Sequence, residues 1–146
     1  KTSLLIDCDV LHPSQQGALG VAASQGGLMD YLEDSSLDVA RILYRTGIPR
    51  LRLIPSGVQR ETTGESFTSF RMRALVDSLR SRYPDRYLIL DSPSVLGSPD
   101  AHILSELADL VVLVAGYGKV TPEKLDTALA SFPSEKLAGV VFNHLP

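Results

Sequence analysis

The chain has 146 residues, 44% of them apolar and 21% charged, with a formal net charge of −3. That length suits one domain with a buried core, and the acidic balance speaks against a nucleic-acid-binding surface. No apolar run approaches the roughly 20 residues of a bilayer-spanning helix, no signal peptide is visible, and the lone Cys8 excludes an internal disulfide and fits a reducing compartment.

In chain order, the first apolar run, Ser3–Asp7, reads as a strand, with Cys8 beyond it as a buried structural thiol. Gly, Ser and Thr then thicken over Pro13–Gly27, a loop, and Gly26–Leu32 reads as a short helix. Val39–Tyr44 is ambiguous between helix and strand, and Leu51–Ile54 is a second strand. A further Gly/Ser/Thr-rich stretch, Ser56–Gly64, is a second loop. Ser66–Tyr83 places Met72, Leu75, Val76, Leu79 and Tyr83 on one helical stripe, leaving Arg71, Arg73, Arg80 and Arg82 as a solvated face. Tyr87–Asp91, Leu110–Ala115 and Leu137–Phe142 complete five strands. Ser98-Pro99-Asp100 and Thr121-Pro122-Glu123 each carry an N-cap, a proline at the first helical position and an acidic first turn.

Most of these strands are continuously apolar, as strands covered on both faces are. Strand–helix alternation predicts an α/β fold, a mainly parallel sheet flanked by helices, in a single domain over residues 1–146. Both loops then fall at carboxyl ends of strands, where open α/β sheets place their ligands.

Asp7 and Asp91 each close a strand, and two carboxylates in such a crevice suit Mg²⁺, which takes hard oxygen ligands and bridges to substrate phosphates. Asp9 lies two residues past Asp7, on the same side if the chain stays extended, where it could take a proton from an attacking hydroxyl. The competing reading is that these aspartates cap turns. Asn143 ends the last strand with a carboxamide suited to a purine edge, or merely to a turn. His12, His102 and His144 share no metal-ligand spacing and read as surface or turn residues.

Taken together, these segments resemble, in collinear order, the cytoplasmic kinase domain of bacterial protein-tyrosine kinases of capsule and exopolysaccharide synthesis. That family belongs to the deviant-P-loop ATPases with the Min and Par proteins. Leu4-Leu5-Ile6-Asp7-Cys8-Asp9 is similar to its Asp-x-Asp Walker motif, and Leu88-Ile89-Leu90-Asp91-Ser92-Pro93 to its Walker B motif. Gly27-Leu28-Met29-Asp30-Tyr31-Leu32, the Ile48–Gly57 strand and loop, Arg71–Leu75, Asp100-Ala101 and Gly139-Val140-Val141-Phe142-Asn143 resemble further family segments.

The resemblance implies a P-loop NTPase-like three-layer sandwich. It implies Asp7 and Asp9 as catalytic residues, Asp7 and Asp91 as the Mg²⁺ site, and Asp91 and Asn143 as nucleotide contacts. ATP and Mg²⁺ are the implied cofactors, and transfer of the γ-phosphate to tyrosine the implied reaction. A membrane-anchored co-polymerase or activator segment and further copies of the chain are the implied partners, without nucleic acid. The implied location is cytoplasmic, at the inner face of the bacterial plasma membrane.

The pattern also departs from the family. Leu11 stands at an arginine place, Ser94 replaces a second proline, and Gly116-Tyr117-Gly118-Lys119 replaces an Arg-Ala-Gly-Lys type segment. No Gly-x-x-x-x-Gly-Lys-Ser/Thr run occurs. The resemblance puts that loop, with its strand and helix, directly before Lys1, so that residues 1–146 read as the C-terminal part of a larger kinase-like ATPase domain. A phosphate loop supplies several preorganised donors and a lysine, so residues 1–146 alone are expected not to be a competent kinase. Loss of that strand is also expected to leave two inner sheet edges unpaired. A non-catalytic regulatory module of a polysaccharide export complex and a Min- or Par-type positioning ATPase are the alternative readings.

Overall fold

The computed structural model describes residues 1–58 and 64–144, in two compact units, Lys1–Pro93 and Ser94–Pro146. The expected loop Ser56–Gly64 therefore lies largely outside the described residues.

The first unit is built on a four-stranded sheet in the order β2 (Tyr44–Arg45), β3 (Leu51–Ile54), β1 (Thr2–Asp7), β4 (Arg86–Asp91). β1 is central and runs parallel to both β3 and β4, whereas β2 is antiparallel to β3. Leu4 and Ile6 of β1 and Leu53 and Ile54 of β3 are fully buried, and the adjacent Leu53 and Ile54 lie on opposite faces, so β3 is covered on both at its carboxyl end. Cys8 is buried beyond β1. The ambiguous Val39–Tyr44 stretch resolves into a single 3₁₀ turn, Val39–Arg41, capped by the Asp38 carboxylate, followed by β2. Two residues of strand are too short to leave a period in the sequence.

The short helix α1 (Gln15–Ala18) follows β1 inside the stretch expected to be loop, and α2 (Leu28–Glu33) buries Leu28 and Met29. The long helix expected over Ser66–Tyr83 is divided into α3 (Gly64–Thr68) and α4 (Phe70–Arg82). The break is local chemistry. Ser69 Oγ donates to the Ser66 carbonyl and accepts from the Met72 N–H, so the serine caps α4 instead of continuing α3. The stripe of α4 (Met72, Leu75, Val76, Leu79) is buried, as the sequence predicts.

In the second unit β5 (Val111–Gly116) and β6 (Leu137–Asn143) pair in parallel. Helix α5 (Asp100–Leu107) begins one residue later than expected; Pro99 is its cap residue, and Ser98 Oγ accepts the Asp100 N–H. Helix α6 (Pro122–Ala130) follows the predicted grammar, with Thr121 accepting the Lys124 N–H. Lys136 Nζ donates to the Ser105 and Ala108 carbonyls at 2.8 and 3.2 Å, satisfying the open C-terminal end of α5.

Among the described residues β4 pairs only with β1, and β5 only with β6. Tyr87 and Ile89 of β4 and Val112 and Val114 of β5 are 47–66% exposed. Each pair is spaced by two, so each lies on one face of its strand.

Candidate carboxylate site at the strand ends

The parallel register of β1 and β4 places Asp7 directly opposite Asp91, at the carboxyl ends of neighbouring strands. The ladder continues one step further, with the Cys8 N–H donating to the Asp91 carbonyl at 2.9 Å. Adjacent strands lie about 4.8 Å apart, so facing carboxylates are held within reach of one small cation.

Gln15 links the two. Its backbone N–H donates to Asp7 Oδ2 at 3.2 Å and its side-chain Nε2 to Asp91 Oδ2 at 2.6 Å. Asp7 Oδ1 also accepts the Asp9 N–H at 3.3 Å. Asp7 is wholly buried and Asp91 partly so. Burial pushes the Asp7 carboxyl above its ordinary range, and the facing Asp91 charge adds to it, against the pull of the Gln15 and Asp9 amides. Burial likewise raises Asp91, with the Asp9 charge adding and the Gln15 amide opposing. Two facing carboxylates with raised proton affinity form a site where a divalent cation would relieve both repulsion and desolvation.

Asp9 is arranged differently from the extended-chain expectation. Strand β1 ends at Asp7, and the Asp9 Oδ1 atom accepts the His12 N–H at 3.1 Å, closing a turn. Its side chain stays 25% exposed, with the His12 ring 3.8 Å away. Asn143 ends β6 in the second unit; its backbone carbonyl accepts the Tyr117 N–H at 2.8 Å and its Oδ1 the His144 N–H at 2.9 Å. Its amide hydrogens meet no acceptor among the described residues. His12 and His144 are exposed, while His102 departs from the surface reading by stacking on Phe132 with ring centroids 5.1 Å apart. No group of three or more His, Cys, Asp or Glu residues that could hold a metal occurs among the described residues. The Asp7–Asp91 pair is a facing pair of carboxylates, without a third such side chain grouped with it among the described residues.

Gln15 was not visible as a site residue from sequence, because a lone glutamine in a Gly/Ser-rich stretch carries no periodicity. Asp30 stood only inside a family-like segment. Its Oδ2 accepts the Gly27 N–H at 2.8 Å and the Val58 N–H at 3.3 Å, stitching the start of α2 to the loop after β3. Arg71 departs from the solvated-face reading. Its Nε donates to the Tyr31 carbonyl at 2.5 Å, and Nη2 donates to the Asp34 and Leu37 carbonyls at 2.8 and 3.2 Å, beneath a stacked Tyr31 ring.

No protein-family model matches the chain. Curated relatives do. The tyrosine-protein kinase YwqD of Bacillus subtilis is 32% identical over 98% of the chain, and the tyrosine-protein kinase wzc of Salmonella typhimurium 30% over 99%. The tyrosine-protein kinase CpsD of Streptococcus agalactiae is 24% identical over 97% of it. The tyrosine kinase domain of BceF superposes over 100% of the chain and 57% of its own length, with a TM-score of 0.82 at 27% identity.

The chain is a relative of the bacterial tyrosine-protein kinases. It spans 60% of YwqD, 61% of CpsD and 20% of wzc. The fold is that of their kinase domains: the VpsO kinase domain matches with a TM-score of 0.88 at 24% identity, over 99% of the chain and 71% of its own. MinD from Pyrococcus horikoshii, at a TM-score of 0.69 and 21% identity, shares the fold alone. In this kinase relative no helix among the described residues is long and apolar enough to cross a membrane.

Proposed function

We propose that these residues form part of an ATP-dependent protein-tyrosine kinase domain, with Asp7 and Asp91 as its cation-holding pair. The observation that carries this reading is the opposition of Asp7 and Asp91 across two parallel strands, with Gln15 donating to both. Mg²⁺, when bound, would supply charge neutralisation for the transferring phosphoryl group. The chain's own residues do the positioning. Gln15 fixes the Asp7 and Asp91 carboxylates, and burial keeps water from screening them. Asp9, partly exposed beside them in sequence, is the candidate acceptor of the tyrosine hydroxyl proton. Asn143 offers its free amide donors to the adenine edge.

The kinship with tyrosine kinases supports a role in capsule or exopolysaccharide synthesis, at the inner face of the bacterial plasma membrane. A membrane-anchored activator segment and other copies of the chain are the proposed partners. The non-catalytic alternative has one observation in its favour. Leu11, where the resembled pattern has arginine, offers no charge to a phosphate.

The test is tyrosine phosphorylation by the protein as its gene encodes it, followed with Mg²⁺-ATP by phosphotyrosine detection. Asp7→Asn and Asp91→Asn should each lower the rate by about 10²–10³-fold, the usual cost of one preorganised electrostatic group. Mg²⁺-ATP binding without any transfer would favour the regulatory module, and equal rates in both variants would contradict the assignment.

A further inference from the structure

The opposite end of the same sheet carries an unexplained concentration of positive charge. Arg45 and Arg52 are direct cross-strand partners in the antiparallel β2–β3 pair. Like charges placed directly opposite disfavour a sheet. The register extends it. Leu4 pairs with both Arg52 and Leu88, and Thr2, two residues earlier on β1, pairs with Arg86. With a side-chain period of two, Arg45, Arg52, Thr2 and Arg86 share one face at the end of the sheet where β1, β3 and β4 begin and the antiparallel β2 ends. Arg50, just before β3, takes a left-handed backbone at φ 67°, which a non-glycine residue rarely adopts.

These groups line one cavity of about 290 Å³, with Thr46 completing the wall and no carboxylate among the lining residues. Asp85 instead lines a neighbouring depression with Arg82 and Arg86. Arg45, Arg50 and Arg52 make no side-chain hydrogen bond or ion pair to any described residue. Arg86 is held in place, donating to Thr2 Oγ1 at 3.3 Å and stacked 4.0 Å from the Tyr83 ring.

We infer that this cavity is an anion site for a phosphate-bearing ligand, separate from the carboxylate site at the other end of the strands. Guanidinium forks match phosphate oxygens in pairs, and four of them around one concavity call for an anion of more than one charge. The bound anion would also offset the repulsion between Arg45 and Arg52. The same chemistry serves a soluble phosphate compound or a phosphomonoester lipid headgroup.

The test uses the whole chain in buffer with EDTA, so that the carboxylate site holds no metal. Inorganic pyrophosphate is titrated by calorimetry, and flotation is run with phosphatidylcholine vesicles with and without phosphatidic acid. One saturable site for pyrophosphate is expected, weakened about tenfold or more by Arg45→Ala/Arg52→Ala, a loss of about 1.4 kcal/mol. Arg73→Ala, on the exposed face of α4, should leave it unchanged. The double variant should melt no lower than the parent, since it removes a repulsion. Flotation only with phosphatidic acid, lost in the same variant, would assign the headgroup as source, and pyrophosphate binding without flotation a soluble one. Absence of both, or binding that survives the double substitution, would overturn the site.

Discussion

At the scale of single residues, Asp7 carries a testable sign. Its folded carboxyl, like that of Asp91, binds its proton more tightly than in an unfolded chain. The folded state therefore holds more protons, and stability falls as pH rises from the ordinary carboxylate range near about 4 toward neutrality. In metal-free urea unfolding across that window, Asp7→Asn should be less pH-dependent than the parent and gain on it toward neutral pH. Parallel curves would contradict the raised proton affinity. Arg71 gives a second case. Losing its bonds to the Tyr31, Asp34 and Leu37 carbonyls should cost about 2 kcal/mol in Arg71→Ala. Arg71→Lys should recover only part of that, because an ammonium cannot reproduce the planar fork. The two aspartates were legible in the sequence because each ends an apolar run. Gln15 and Arg71 were not, since both act through partners 76 and 40 or fewer residues away that only folding brings near.

Among the elements, α2 and the loop after β3 are joined by close backbone contact. The Leu28 and Met29 N–H groups donate to the Pro55 and Ser56 carbonyls at 2.8 and 2.9 Å. A Cβ on Gly27 would overlap the Pro55 carbonyl oxygen and the Gly57 amide nitrogen. Gly27→Ala should therefore cost about 1–3 kcal/mol in denaturant unfolding. Gly47→Ala, which meets no atom within 4 Å, should stay within about 0.5 kcal/mol. Elements with long apolar runs or complete caps were readable in advance: β3 ends where expected, and α6 starts where Thr121-Pro122 predicts. The Ser69 break and the two-residue β2 were not, because one hydroxyl and one short antiparallel pairing leave no periodic trace.

At the scale of the whole molecule, β4 and β5 each present exposed apolar side chains, Tyr87 and Ile89 on one and Val112 and Val114 on the other. Strand edges with exposed Ile89 and Val114 favour association between copies. Sedimentation velocity should show concentration-dependent self-association that Ile89→Lys and Val114→Lys each reduce; an unchanged profile would deny these faces any part in it. The α/β class was legible from strand–helix alternation, and kinship with the tyrosine kinases accords with the fold. Asp7 and Asp91 are proposed to form one cation-holding site at the strand ends. Nuclear magnetic resonance with Mn²⁺ as the probe for Mg²⁺ tests it most directly. Paramagnetic broadening should centre on the amides of Asp7, Cys8, Gln15 and Asp91, be competed by Mg²⁺, and vanish in Asp7→Asn/Asp91→Asn. Broadening centred elsewhere, or persisting in that double variant, would contradict it.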